Sequence, residues 1–479
     1  MPQNKQSAIL SQTKCDAFVA KRQSLSVIFC HYSGGVMHVI ILVIGLFGQV
    51  GAATEFDLYL NLLREDADTR RNAVQRITGG TDTSRWAALL DVMYFKGLPQ
   101  EAYAMMNRAA HVDYGRNWPR WMEWLGQKNI RPSKAYRRFK QVLFSQIDPT
   151  FSAFLNPNMP TTIRWDEIAW GGVKKDGIPS LDQPKMIPAD EADWLDDDEP
   201  VFGLVINGEA RAYPLRIMDW HELANITFNN GTPVALSYCT LCGAAIAYNA
   251  RAGGRYFHFG TSGLLYRSNK LMYDRETHSL WSAMTGRPVS GLLAGNDTLV
   301  LQPLPVERTQ WADWRRRHPQ TTVLSRKTGF RRVYKRYSGY YRYFKSPKTM
   351  FPVARKDTRL PQKAIVFGAH LLGVSRAWPL SVFATRTTLR DTLAGQGVWL
   401  IGDEERQSVR LYRSGTTLFL KRNNDQLLDD KGHIWEIREN ALVEQNGPGR
   451  YERLPGHLAY WFAWQAFFPG TTLYRRPQP

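Results

Sequence analysis

Apolar residues recur at helical spacing between residues 55 and 155. The segment 56–80 places Leu and Ile three or four positions apart and ends at Gly79-Gly80, and a second apolar run covers 84–97. This pair is similar to one unit of a HEAT-type helical hairpin. The pattern therefore predicts a helical domain over residues 55–155.

The pattern changes to short alternating runs with Gly and Pro from about residue 160. The run 201–206 and the run 209–215 flank Asn207-Gly208, which favours a hairpin with a type I′ turn. Further strands are predicted over 233–239 and on both sides of Gly253-Gly254. We therefore expect an α+β fold in which a HEAT-like helical hairpin domain precedes a β-rich domain.

The β-rich part contains an internal repeat. Residues 201–215 match residues 366–380 in length and at most positions, and two later pairs of segments, 274–281 with 429–435 and 314–319 with 464–469, follow in the same order. We expect two diverged copies of one unit. The first spans 160–325, a connector spans 326–363, and a degenerate second copy spans 364–479.

The N-terminus resembles an export signal. Basic residues precede the apolar run 36–47, and Val50 and Ala52 are small residues that suit a cleavage site after residue 52. We predict a signal peptide over 1–52, with a signal-anchor as the alternative, and a start at Met1 or Met37. The protein is then expected outside the cytoplasm, in the periplasm, or anchored in the inner membrane through this segment.

The positive charge is concentrated in one region. The chain has 62 Lys and Arg against 43 Asp and Glu, and 17 basic but only two acidic residues lie between Arg308 and Lys363. Aromatic residues alternate with the basic ones. We predict a surface for anionic lipid, a cell-wall polymer or a protein partner, and export argues against nucleic acid. Its candidate residues are Arg331, Arg332, Lys335, Arg336, Arg342, Lys345 and Lys348. The alternative is a solvated pair of strands that joins the two copies.

Two of the four cysteines lie in the leader, which leaves Cys239 and Cys242 as a CxxC motif. Predicted strands flank the motif, so we expect a knuckle between strands and not the helix start of thioredoxin-like proteins. Three interpretations remain: a soft-metal site for copper or zinc, a reversible dithiol/disulfide pair, and a structural disulfide.

The repeat separates framework residues from candidate site residues. His221 and Glu222 in the first copy align with Arg386 and Thr387 in the second copy, which also lacks the CxxC motif. His221 is therefore the preferred third metal ligand, and Glu222 either supports a ligand through a hydrogen bond or acts as a general base. His258 and His278 are weaker ligands. His221, Glu222 and Asp274 are the catalytic candidates, although Asp274 also suits a structural turn.

Five segments, in this order, resemble the bacterial domain-of-unknown-function family numbered 3179. They are 171–185, 209–225, 238–248, 261–282 and 314–324, and the resemblance extends over about residues 163–363, with flanking parts similar to longer members. The family implies an exported or membrane-associated protein and no established activity. Members usually have Pro where this chain has Thr240, which is expected to loosen the knuckle.

These observations leave two functions open. One is a thiolate site that binds a soft metal or performs dithiol chemistry. The other is a non-catalytic binding or scaffold module that docks on an anionic surface or partner, with a purely structural CxxC. Whether the protein is an enzyme stays open.

Overall fold

Short polar side chains begin the N-terminal helices. The computed structural model describes residues 54–337, 339–415, 417–423 and 426–475, so the predicted signal peptide at 1–52 lies outside the described residues. Thr54 and Asp57 form a capping box, and Asp66 and Ser133 cap later helices. The helices are α1 Glu55–Asn61, α2 Ala67–Thr78, α3 Trp86–Phe95, α4 Gln100–Ala110, α5 Trp118–Gly126, α6 Lys134–Ser145 and α7 Phe151–Phe154.

The helices share a core with the first β-sheet. Helix α1 packs on α6, α2 on α4, and α3 on α5. Trp86, Trp121 and Phe139 are buried in one cluster with Leu264 and Tyr273 of the sheet. Within the described part of the chain, no helix has the length and apolar character needed to cross a membrane.

Strands dominate from residue 168 onward, which confirms the predicted order of helices followed by a β-rich part. The first group is β1 Ile168–Trp170, β2 Leu181–Asp182, β3 Met186–Pro188, β4 Pro200–Ile206, β5 Glu209–Pro214, β6 Leu223–Thr227, β7 Pro233–Cys239, β8 Ala244–Asn249, β9 Arg251–Ala252, β10 Arg255–Tyr256, β11 Phe259–Tyr266, β12 Asn269–Asp274, β13 Leu280–Ser282, β14 Arg287–Ser290, β15 Pro303–Leu304, β16 Glu307–Gln310 and β17 Thr322–Leu324. Three helices lie between or after them: α8 Leu215–His221, α9 Trp311–Arg317 and α10 Tyr341–Lys345.

The C-terminal part adds a second group of strands and one helix. They are β18 Ile365–Leu371, β19 Val374–Pro379, β20 Thr388–Leu393, β21 Gln396–Asp403, β22 Ser408–Arg413, β23 Phe419–Asn423, β24 Gln426–Asp429, β25 Ile434–Ile437, β26 Ala441–Glu444, β27 Arg450–Leu454, β28 His457–Tyr460, helix α11 Trp461–Phe467 and β29 Thr472–Leu473.

The strands form five sheets and a short ribbon of β9 and β10. Their orders are β1-β11-β12-β13-β14, β15-β8-β7-β6-β2, β16-β4-β5-β17-β3, β28-β18-β19-β29, and β20-β21-β22-β27-β26-β25-β24-β23. The predicted hairpin is confirmed as β4 and β5. Asn207 and Gly208 both have positive φ (48° and 81°), as a type I′ turn requires.

Two sheets repeat the same arrangement. In β16-β4-β5-β17 and in β28-β18-β19-β29, the last strand runs parallel to its neighbour and the other pairs are antiparallel. Trp314 covers Gly203 and donates its indole N–H to Thr321 Oγ1 at 2.9 Å. Trp464 covers Gly368 and donates to Thr471 Oγ1 at 2.9 Å.

Gly203→Ala and Gly368→Ala are each expected to destabilise the protein by about 1–3 kcal/mol. In both, the new Cβ would overlap a tryptophan ring that is itself fully buried. Urea unfolding measures the effect. Gly470→Ala is the control, because no atom lies within 4 Å of its Cβ position. Unchanged stability in both glycine variants would contradict this packing.

Candidate functional site

The CxxC motif forms a tight turn between two antiparallel strands. Strand β7 ends at Cys239 and β8 begins at Ala244, and these two residues pair in the ladder. The Cys242 N–H donates to the Cys239 carbonyl at 3.1 Å. Gly243 closes the turn with φ +61°, a conformation that favours glycine. The structure thus has the knuckle between strands that the sequence predicts.

The two thiols face each other inside the protein. Both cysteines are free and buried, and their Sγ atoms lie 2.8 Å apart. Cys239 keeps 3% of its surface exposed and Cys242 none. The pair is therefore placed to share a proton or to close a disulfide.

The turn between β11 and β12 surrounds the sulfurs with polar groups. Arg267 and Ser268 both have positive φ, which bends the turn toward the thiols. Cys242 Sγ lies 3.4 Å from the Ser268 carbonyl and accepts from Asn269 Nδ2 at 3.2 Å. The backbone N–H of Lys270 donates to Cys239 Sγ.

Glu222 and Lys270 add a buried charge pair next to the thiols. Glu222 ends α8 in the left-handed conformation (φ 55°), and its carbonyl accepts from Lys270 Nζ. Its Oε1 accepts from Thr240 Oγ1 at 2.8 Å, and its Oε2 lies 4.0 Å from Lys270 Nζ. Burial raises the pKa of Glu222 and lowers the pKa of Lys270. Thr240 therefore tethers the turn through its hydroxyl where relatives are expected to have proline.

The two cysteines differ in acidity. Burial acts to raise the pKa of Cys239. The hydrogen bond from the Cys242 thiol and the N–H and ammonium of Lys270 act against it, and the pKa lies below its usual range. Burial and the neighbouring Cys239 sulfur raise the pKa of Cys242 well above its usual range. Cys239 therefore deprotonates first and Cys242 holds the shared proton.

A small cavity of about 40 Å³ reaches only one of the thiols. Its lining includes Cys239, Glu222, Lys270 and Tyr340 but not Cys242. That volume holds about one water molecule. Cys239 is thus the sulfur that faces the cavity, whereas Cys242 does not line it.

His221 does not join the thiols. It is fully buried, its Nδ1 lies 2.8 Å from the Pro179 carbonyl, and its Nε2 lies 2.6 Å from the Tyr334 hydroxyl. A carbonyl can only accept, so Nδ1 carries the proton and Nε2 accepts from Tyr334. Burial lowers the pKa of His221 to about 4. The imidazole is neutral and both its nitrogens are engaged.

The weaker ligand candidates lie elsewhere. His258 is partly exposed, with its Nδ1 3.5 Å from Glu276, and His278 is exposed beside Phe154 and Tyr273. In the described part of the chain, no group of three or more His, Cys, Asp and Glu side chains could hold a metal ion. The structure therefore does not assemble the predicted set of Cys239, Cys242 and His221.

Asp274 supports a turn. Its carboxylate is buried and accepts from Trp281 Nε1 at 2.9 Å and from the backbone N–H of Thr277 at 2.6 Å. Asp429 accepts in the same way from Trp435 Nε1 at 3.0 Å. These contacts support the interpretation of Asp274 as a residue that stabilises a turn.

The basic connector, residues 326–363, contains α10 and irregular backbone, and its described residues form no strand. The alternative prediction, a solvated pair of strands that joins the two copies, is therefore wrong. Arg336 pairs with Asp196 at 3.0 Å and with Asp198, and Arg332 lies 5.1 Å from the ring of Trp220. The other predicted anion-binding residues, Arg331, Lys335, Arg342, Lys345 and Lys348, are exposed.

Sequence reasoning missed the polar residues that surround the thiols. Asn269 and Lys270 follow Arg267-Ser268 in what resembles an ordinary solvated turn, and Tyr340 lies 100 residues beyond the motif. Nothing in their local pattern indicates burial. The alternating apolar residues of β11 and β12 predict a hairpin, but they do not reveal what its turn contacts.

In the His221→Gln variant, the free energy of unfolding should depend less on pH below neutrality than it does in wild type. The folded pKa of about 4 lies below the ordinary 6.5. The unfolded chain therefore binds more protons between these values, and stability falls as the pH is lowered through this window, by about 3 kcal/mol in total. Urea unfolding between pH 7 and 4.5 measures the slope. Exposed His111, replaced by Asn, is the control. An unchanged slope in the Gln variant would contradict the neutral buried state.

Comparison with known proteins identifies the family. The family model described as "Protein of unknown function (DUF3179)" matches residues 175–471, which extends well past residue 363, where the resemblance in the sequence was expected to end. Neither the curated proteins nor the solved structures gave a match. The family match covers most of the chain, from the segment before the CxxC motif to the last helix, and the protein belongs to the DUF3179 family.

Proposed function

We propose that Cys239 and Cys242 form a redox-active dithiol that exchanges with the thiols or disulfide of a partner molecule. The observation that supports this most directly is the pair of free sulfurs 2.8 Å apart with opposite pKa shifts. A low pKa favours attack by Cys239, the sulfur that lines the small cavity, and proximity favours resolution by Cys242.

The exchange has two balanced steps. The Cys239 thiolate attacks one sulfur of a partner disulfide, the partner's S–S bond breaks, and one partner thiolate leaves and takes up a proton. Cys242 then loses its proton, attacks Cys239 Sγ and releases the second partner thiolate. The partner disulfide gains two electrons, and the Cys239–Cys242 pair loses them.

Metal binding stays a prediction for the same pair. Cu(I) accepts two thiolates, whereas zinc usually takes four ligands, and the described residues offer no third ligand of the expected type beside the sulfurs. The polar contacts from Asn269 and Lys270 suit a thiolate without a metal. For these reasons we favour dithiol exchange over a copper or zinc centre.

A second candidate is docking of the connector on an anionic lipid surface. Arg331, Lys335 and Lys348 are exposed and have no ion pair among the described residues, unlike Arg336. Exposed Tyr337 and Val333 lie between them and could enter the headgroup region. This candidate is independent of the thiols. Both candidates are compatible with an extracytoplasmic location, which we infer from residues 1–52.

We also infer that the β-rich part arose from two copies of one unit. The matching strand orders, the Gly–Trp–Thr contacts in each sheet and the two Asp–Trp turns support this inference. The HEAT-type pairing of the first helices and the domain boundaries near 155, 325 and 363 stay predictions.

The dithiol proposal is tested by thiol titration after equilibration in dithiothreitol redox buffers. We expect both thiols to appear together as a two-electron couple. In reduced protein, iodoacetamide should modify Cys239 at lower pH than an ordinary cysteine. In Cys242→Ala, loss of the S–H donor should raise that apparent pKa, and a shift of one unit lowers the thiolate fraction roughly tenfold.

Cys239→Ala is the matched variant, and the remaining Cys242 should react at least about tenfold more slowly than Cys239 does. A pair that stays reduced in every buffer would refute dithiol exchange, and so would a disulfide that resists strong reductant. Metal analysis of anaerobically purified protein belongs to the same experiment, and stoichiometric copper or zinc lost in Cys239→Ala would favour the metal site instead.

The docking candidate is tested by sedimentation with vesicles that contain phosphatidylglycerol. Reversal of Arg331, Lys335 and Lys348 to Glu should weaken binding roughly 100-fold or more, at about 1 kcal/mol per basic residue. Reversal of the exposed Arg64, Arg71 and Arg76 in the helical part is the control with the same change in net charge. Equal losses in the two variants would overturn a specific surface.

A further inference from the structure

A second cavity lies beside the CxxC turn. Its volume is about 190 Å³, close to that of six water molecules. Gly243 of the turn forms part of its wall, and Tyr460, whose ring packs against Gly243, forms another part. Neither sulfur lines it, so its role is separate from the proposed dithiol chemistry.

Arg308 extends into this cavity from β16. Adjacent residues of a strand point to opposite faces, and Glu307 on the other face is buried against Arg317 and Arg410. Arg308 is different. No described residue makes an ion pair or hydrogen bond with its guanidinium. Burial lowers the pKa of Arg308, and the electrostatic influence of Tyr238, Tyr460 and Asp219 acts against that shift. Its five N–H donors are therefore available to a ligand.

Lys363 adds a second cation to the same cavity. Its Nζ lies 3.7 Å from the ring centroid of Tyr343 and 4.8 Å from that of Tyr460, and it donates to the Tyr343 carbonyl. The lining contains no Asp or Glu. Two cations in a partly buried space without a carboxylate create a positive potential that an anion would offset.

The rest of the lining is apolar or aromatic. Phe344, Ile365 and Leu458 contribute apolar surface, and Tyr238 and Gln407 contribute polar groups. A neighbouring cavity of about 330 Å³ shares Leu215, Arg308 and Phe344 with this one. That cavity has three carboxylates in its lining: Glu199 and Asp198 are paired with Arg216 and Arg336, and Asp219 acts on Arg308 electrostatically. A few convergent polar groups on an apolar wall are typical of a small-molecule site.

We propose that the cavity at Arg308 and Lys363 binds a small organic anion, whose carboxylate or phosphate group lies between the two cations and whose apolar part contacts Phe344, Ile365 and Leu458. The planar guanidinium suits two-point contact with either oxyanion. The position of Arg308, partly buried and without an ion pair among the described residues, has a reason in this proposal: it lowers the stability of the empty protein and is offset when the anion binds.

The test uses the full chain and two probes, benzoate as an aromatic carboxylate and phenyl phosphate as an aromatic phosphate ester. Isothermal titration gives the Kd and thermal unfolding gives the shift in Tm. Wild type should bind at least one probe with a 1:1 stoichiometry and a raised Tm. Arg308→Met and Lys363→Met should each weaken binding about tenfold or more, since hydrogen bonds to charged groups are lost. Arg308→Lys should retain part of the affinity.

The Tm of the variants without ligand separates binding from structure. Arg308→Met should unfold at or above the wild-type temperature, because it removes a partly buried cation that has no ion pair among the described residues. Exposed Arg331→Gln is the control for general electrostatics and should bind as wild type does. The proposal is overturned if neither probe binds wild type, if Arg331→Gln weakens binding as much as Arg308→Met, or if Arg308→Met loses stability without ligand. Cys239→Ala should bind the probe normally, so failure of the dithiol proposal leaves this test intact.

Discussion

The buried CxxC turn requires hydrogen-bond partners from several distant segments of the chain. Polar groups withdrawn from water need hydrogen-bond partners, and a turn of this length cannot supply them itself. The partners come from distant segments. Asn269 and Lys270 reach the sulfurs, Tyr343 donates to the Leu241 carbonyl at 2.6 Å, and Tyr460 donates its N–H to the Cys242 carbonyl at 2.8 Å. The thiols therefore lie where the first β-rich part, the connector and the C-terminal part meet.

The same burial explains the chemistry we propose. Cys239 accepts from a backbone N–H and a thiol, whereas Cys242 is fully enclosed, so the two thiols differ in acidity. The surroundings of the arginine side chains also differ from one position to another. Arg317 and Arg336 have carboxylate partners, but Arg308 faces a cavity that has no acid in its lining. Basic residues of the segment 308–363 therefore have different roles: some form ion pairs, and Arg308 lines a cavity.

The alignment of the two predicted copies identified one site residue correctly and misplaced another. Glu222, which that alignment selects as a candidate site residue, contacts the CxxC turn through Thr240 Oγ1. His221 precedes it directly but binds Pro179 and Tyr334 instead. The reason is local: α8 ends at His221 and the backbone becomes left-handed at Glu222, so the two side chains diverge. Adjacent positions in a sequence do not share a direction when a helix ends between them.

The sequence by itself determined the order of helices and strands, the β4–β5 hairpin with its Asn-Gly turn, and the placement of the CxxC motif between strands. These features depend on residues close together in the chain, through periodicity and turn preference. Only the tertiary structure decided that Lys270 is buried beside Cys239, that Arg336 is paired and that Arg308 has no ion pair among the described residues. Such outcomes depend on which distant segments pack together, because burial and charge pairing are properties of neighbours in space.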